Sequence, residues 1–189
     1  MKNNKLAILV FALLVVAGAF YRVWDGRPWG FAPQIAMAIF GGAVIKDKKW
    51  AFILPLLSMF LSDVLYEILY VNGMTELKGF YEGQITNYIL FAGLTFFGFL
   101  IKKINWVNVL AASLIAPTLY FIASNFFVWL SATGGLQRPK TFNGLLMCYN
   151  DGLPFYKGSI LGTLFFSAIL FGGYYLITRY IAKSNKLTA

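Results

Sequence analysis

The chain contains no histidine and one cysteine among its 189 residues. Without histidine, imidazole acid–base catalysis, histidine-ligated metal centres and histidine pH sensing are excluded. The lone Cys148 cannot close an internal disulfide, and no Cys/His spacing suited to zinc or iron occurs. Charge is scarce too. Asp, Glu, Lys and Arg make up 12% of the residues, about half the share of an ordinary soluble domain. No glycine-rich phosphate loop ending in Gly-Lys-Ser/Thr is present, so the chain does not itself carry that ATP-binding device.

What fills the sequence instead is apolar. Hydrophobic residues account for 59%, aromatic residues for 19%, and the mean hydropathy is +0.69. Six segments, 6–24, 31–45, 50–71, 85–101, 107–130 and 155–178, are long enough or nearly so to cross a membrane. A hydrocarbon core of ~30 Å takes about 20 helical residues. The expected fold is therefore all-α: a polytopic membrane protein with one domain over 1–189, six transmembrane helices and no soluble module. The second segment is short and glycine-rich at Gly41-Gly42, and is expected to be tilted, sunken or partly unwound.

The sixteen basic residues are unevenly placed. Ten lie in the N-terminus and in segments 46–49, 102–106 and 179–189, against one acid, Asp47, while the other side holds six of each sign. The net charge of +9 thus falls on one face, which the positive-inside rule places, with both termini, in the cytoplasm. The basic pI of 9.7 then reports topology and contact with anionic lipid. The lysine pairs sit in tight turns without interleaved aromatic or polar elements, so no nucleic-acid partner is expected. Lys2 and Lys5, the apolar run from Leu6 to Val16, and Ala17-Gly18-Ala19 imitate a signal peptide with its cleavage site. The apolar run continues through Phe20 and Tyr21 toward Trp24, however, and the segment is expected to remain as the first transmembrane helix.

Trp24, Trp29 and Trp129 map to the outer interface and Trp50 and Trp106 to the inner one, as aromatic belts do. Two outer connections are long, 72–84 and 131–154, and long loops in a compact protein are more often lids or binding loops than idle links. Within the second, Thr141 to Tyr149 reads as a short helix on the outer surface. Leu153-Pro154-Phe155 reads as the opening of the sixth helix, where proline is favoured.

Two apolar segments carry the same polar interruption. Pro55, six residues, then Ser62-Asp63 recurs 62 positions later as Pro117, six residues, then Ser124-Asn125. This correspondence is the only hint of internal repetition. A charge or amide at membrane depth is costly unless it faces a protein interior or a water-filled cavity. Glu67 lies one turn above Asp63 on the same face, and Arg22 sits at comparable depth on the first segment. Two readings stand side by side: Asp63 or Glu67 pairs with Arg22 to fasten helices, or the group contacts a ligand. Asn87 and Tyr88 open the fourth segment at the same level. Asn125 and Trp129, four residues apart, set an amide beside an aromatic plate, which suits a flat polar ligand. Their plainer roles are an interhelical hydrogen bond and an interfacial anchor. The unusual residues gather at the outer helix ends. Ala38-xxx-Gly42 and Ala112-xxx-Ala116 permit close helix approach, for internal packing or for docking to another membrane subunit.

Several stretches together resemble a known motif set: Phe31-Ala32-Pro33 with Ala36-Met37-Ala38-Ile39-Phe40-Gly41-Gly42-Ala43; Pro55 with Ser62-Asp63; Ser124-Asn125 with Val128-Trp129; and Pro139. Gly144-Leu145 through Cys148-Tyr149 to Leu153-Pro154-Phe155 also fits. On these the chain resembles an uncharacterised family of small bacterial six-helix integral membrane proteins, regarded as transport proteins. That family is similar to the substrate-binding S components of energy-coupling-factor vitamin transporters. The resemblance covers nearly the whole chain. It implies an S-component-like bundle in the bacterial inner membrane, with a ligand cavity under the outer loops. Some small relatives of S components handle cobalamin through a cysteine cobalt ligand, and Cys148, in the loop before the sixth helix, is the candidate here. ATP-driven uptake would need a separate energising membrane/ATPase module.

The leading expectation is a subunit that binds and translocates a small, polar, vitamin-like solute. Arg22, Asp63, Glu67, Asn87, Asn125, Trp129 and Tyr149 would line its outward cavity, and the 131–154 loop would close over it. No catalytic residue, cofactor or metal is expected. The alternatives are a membrane enzyme using Asp63 and Glu67 as a carboxylate pair, and an accessory structural subunit in which the polar groups only fasten helices. A proton-coupled carrier is a further variant, since buried carboxylates can relay protons.

Overall fold

The computed structural model describes residues 2–132 and 137–187, with side chains described over 8–132 and 137–181 and at 183. The described residues form six α-helices and no strand. In order these are α1 (Lys2–Val23), α2 (Gln34–Val44), α3 (Lys48–Val71), α4 (Gln84–Gly98), α5 (Trp106–Ser131) and α6 (Phe142–Leu187). Three of them, α3, α5 and α6 as far as Ile181, are long and apolar enough to cross a membrane. Among the residues with described side chains, Ile8–Val23 of α1 and the 11 residues of α2 are shorter apolar helices.

The boundaries have local causes. Asp47 caps α3, its side chain accepting the Lys49 N–H at 2.9 Å, and Asn105 caps α5, accepting the Asn108 N–H at 2.8 Å. The turns 45–47 and 99–105 lie together at what we term the basic end, where the Lys48 ammonium sits 5.7 Å from the Phe99 ring centre. The connections 24–33 and 72–83 and the described residues 137–141 lie at the opposite end.

The short α2 is the centre of the bundle. It contacts α3, α4, α5 and α6, and its residues from Gln34 to Ile39 are all buried. A helix apolar on every side belongs inside. Around Ile35, Ala38 and Ile39 pack Met59 of α3, Phe91 and Leu94 of α4, Ala112 and Ala116 of α5 and Phe171 of α6. The small-residue pairs of the sequence therefore serve internal packing. The tightest crossing is α2 on α4, where a Cβ on Gly42 would come 2.8 Å from the Gly98 Cα, and one on Gly98 would come 2.6 Å from the Ile39 carbonyl oxygen. Gly98→Val is expected to cost about 2 kcal/mol by forcing these helices apart, read as a lower melting temperature of the purified protein.

The main departure from the sequence-based expectation is α6. It is one helix of 46 residues starting at Phe142, so Thr141–Tyr149 is no separate surface helix. Pro154 lies inside α6 rather than in its first turn, so 142–154 of the expected 131–154 loop is helical, while 133–136 of it lie outside the described residues. Proline removes one helical hydrogen bond and crowds the carbonyl four residues back. The helix persists because this stretch packs antiparallel on α5. Phe121 stacks on Tyr156 with ring centres 4.4 Å apart, the Thr118 and Tyr156 hydroxyls meet at 2.9 Å, and the Cys148 thiol donates to the Asn125 carbonyl at 3.4 Å. Tertiary packing here outweighs the breaking tendencies of Gly152 and Pro154.

Candidate functional site

α1, α3 and α4 meet at a buried carboxylate. Asp63 is 1% exposed. One of its oxygens accepts from Arg22 Nη1, which also donates to Ser62 Oγ at 2.6 Å. Ser62 in turn donates to the Met59 carbonyl at 2.7 Å. The other Asp63 oxygen accepts from Gln84 Nε2 and from the Tyr88 hydroxyl, each at 2.7 Å. A charge removed from water is tolerated when it has a counter-ion and its remaining lone pairs are hydrogen-bonded, and Asp63 has both. The two partners differ in access: the Arg22 side chain is 20% exposed and that of Asp63 2%.

Around this pair the chain is laced down. The Arg22 carbonyl accepts from Arg27 Nε at 2.6 Å and from the Tyr66 hydroxyl at 2.8 Å, and Arg27 Nη2 reaches the Tyr66 oxygen at 3.2 Å. The connection 72–83 folds back on the flank of α3. Glu67 accepts the N–H groups of Gly79 and Phe80 at 3.1 and 3.2 Å, while Gln84 Nε2 donates to the Gly79 carbonyl at 3.1 Å. Gly79 presses on α3 so closely that a Cβ there would run into the Asp63 carbonyl oxygen and come 2.6 Å from the Glu67 nitrogen. Asn87 donates to the Tyr81 oxygen and accepts from the Tyr120 hydroxyl at 3.0 Å, tying this connection to α4 and α5. Desolvation raises the Tyr81 hydroxyl above the ordinary tyrosine value, with the Asp63 charge acting in the same direction and Arg22 and Asn87 against it. It stays a neutral donor and acceptor at physiological pH.

The other sequence candidates form a second group on the α5–α6 hairpin. Asn125 Nδ2 donates within its own helix to the Phe121 carbonyl at 2.8 Å, and Gly152 leaves room for that amide. Trp129 Nε1 donates to the Pro139 carbonyl at 2.9 Å, with the Lys140 ammonium 5.3 Å from its ring centre. The Tyr149 hydroxyl donates to the Ile122 carbonyl at 3.0 Å. Cys148, expected in a loop, lies within α6, is 1% exposed and turns its sulfur onto α5. Arg138 grips Asp151 through Nε at 2.9 Å and Nη2 at 2.7 Å beside an open recess of ≈ 570 Å³. Among the described residues no hydrogen bond joins this group to the Asp63 network.

The structure thus brings together Arg22, Asp63, Glu67 and Asn87, and sets Asn125, Trp129 and Tyr149 apart. Glu67 and Asp63 have separate partners rather than each other, and no cluster of three His, Cys, Asp or Glu side chains suited to a metal occurs among the described residues. Sequence reasoning missed Gln84 and the role of Tyr88. The available signal was their spacing: four residues apart on one helical face, the same interval as Asp63 and Glu67. The equivalence of the two Pro-to-Ser motifs also ends at sequence, since Asp63 binds across helices and Asn125 within its own.

A family model described as "Family of unknown function (DUF6580)" matches residues 2–185. No curated protein and no solved structure matches the chain.

Proposed function

The chain belongs to this family of unknown function, and from the geometry of its site we propose that it is a six-helix integral membrane subunit that binds and translocates a small polar, vitamin-like solute. In this reading both termini are cytoplasmic and the Asp63 network opens to the outside of the plasma membrane. The observation that carries it is the unequal ion pair: Asp63 is enclosed and fully bonded, while Arg22 keeps an exposed edge. Asp63 is then the fixed post that holds Arg22. Arg22, Tyr81 and Asn87 present donors and acceptors to the solute, and the connection 72–83, rather than 131–154, is the cover. Energy comes from a separate module, since the sequence holds no phosphate loop.

The test is a thermal-shift screen of the detergent-purified protein against vitamins and their precursors, cobalamins included. A binding compound is expected to raise the melting temperature of the wild type by several degrees and to lose at least half of that shift in Asn87→Ala, which leaves the Asp63 bonds intact. No shift with any compound would overturn the reading. A second reading, an accessory subunit whose polar network only fastens helices, is favoured by the saturation of both Asp63 oxygens. It predicts that stability depends on Asp63 while no solute stabilises the protein.

A further inference from the structure

We propose that the groove between α4 and α5 at the basic end binds an anionic phospholipid. The inference rests on the membrane reading above but not on the solute. α4 stops at Gly98, and the chain tightens through the N–H of Leu100 to the Phe97 carbonyl at 3.0 Å and that of Ile101 to the Gly98 carbonyl at 3.1 Å. Opposite this turn α5 offers the small residues Ala111 and Ala112. A slot of ≈ 220 Å³ is left between them, walled by Phe97, Leu100, Ile101, Ala111, Ala112 and Ile115. Leu100 is 62% and Ile115 46% exposed, so the slot opens sideways to the lipid-facing surface. One helical turn, about 10 Å across with its side chains and roughly 5.4 Å long, exceeds this volume, whereas a stretch of acyl chain fits it.

The headgroup is selected by charge. Lys102 and Lys103 follow directly from the slot, are exposed, and pair with no carboxylate among the described residues. Lys48, over the Phe99 ring at 5.7 Å, adds a third cation at the same turn. Asn108 holds the turn in place by donating to the Lys103 carbonyl at 2.8 Å. Trp106, 77% exposed beside these lysines, is placed as an interfacial anchor and sets the slot's mouth at headgroup level. Each such lysine strengthens contact with an anionic lipid surface about fivefold, and a zwitterionic lipid of the same chains gains the slot without this term.

Native mass spectrometry of the full chain, titrated with phosphatidylglycerol and with phosphatidylcholine of matched acyl chains, tests the assignment. Phosphatidylglycerol is expected to bind the wild type at least about twentyfold better, with the preference shrinking as ammonium acetate is raised. Lys102→Gln with Lys103→Gln should bring phosphatidylglycerol down to the phosphatidylcholine level. Ala111→Phe, which fills the slot from a lipid-exposed position, should lower both. Equal binding of the two lipids by the wild type, or a preference undiminished in the double variant, overturns the site. The wild-type ratio and its salt dependence decide the matter even where a variant folds poorly. Retention of neither lipid would instead contradict the membrane reading itself.

Discussion

Asp63→Ala is expected to lower stability by about 3 kcal/mol, the scale of breaking one partner out of a buried ion pair. For a chain of this size that corresponds to a melting temperature about 10 °C lower. The loss comes less from the missing attraction than from what remains. Arg22 keeps its charge with only Ser62 to receive it, and Gln84 and Tyr88 lose the acceptor that both reach at 2.7 Å. The 20% exposure of Arg22 lets water solvate part of the guanidinium, which holds the figure at the low end of the usual range. Replacing both partners, Arg22→Met with Asp63→Leu, should recover most of the lost stability, because neither charge is then left inside. Melting curves by near-ultraviolet circular dichroism on the wild type, Asp63→Ala and this double variant give the answer. An Asp63→Ala protein that melts with the wild type would show that the pair holds nothing together.

Gly79→Ala should cost at least about 2 kcal/mol, although it adds one methyl group on a surface connection. That methyl has no room against the Asp63 carbonyl and the Glu67 amide, so the backbone of 72–83 must lift away from α3. The two N–H bonds to Glu67 and the Gln84 bond to the Gly79 carbonyl go with it. Hydrogen exchange localises the effect: the Gly79 and Phe80 amides should lose protection while the α2 core stays protected. Gly73→Ala is the control. Its φ of +69° makes alanine costly by roughly 1 kcal/mol, but nothing lies within 4 Å, so exchange at Gly79 and Phe80 should not change. Equal exchange in all three proteins would mean that the connection is not held through Gly79.

The helices α1 to α5 were legible as apolar runs, two of them opened by a local signal, the N-caps Asp47 and Asn105. The start of α6 was not. Gly144, Gly152 and Pro154 read as breakers, and the contacts that overrule them, Phe121 on Tyr156 and Cys148 on Asn125, join residues far apart in sequence. The same division runs through the site. Asp63 and Arg22 stood out because charge at membrane depth needs a partner. Gln84 and Gly79 carry no such cost on their faces: an amide beside a turn and a glycine within one look ordinary until the fold lays them on α3. Asn125, Trp129 and Tyr149 group with Asp63 by their outer position in the sequence, but each bonds to a backbone carbonyl away from it. Once the hairpin begins at Phe142, those residues belong to its own seam.

That hairpin makes α6 a shaft. At 1.5 Å per residue its 46 residues run roughly 70 Å, more than twice the ~30 Å hydrocarbon core. One half is keyed to α5 through Tyr149 and Tyr156, and the other to the central α2 through Phe171 against Phe40 at 5.2 Å. A tilt imposed at the Tyr149 end therefore reappears at the end bearing Arg179 and Lys183. Pro154 is the one place along its length where proline lets the shaft bend instead of turning as a whole.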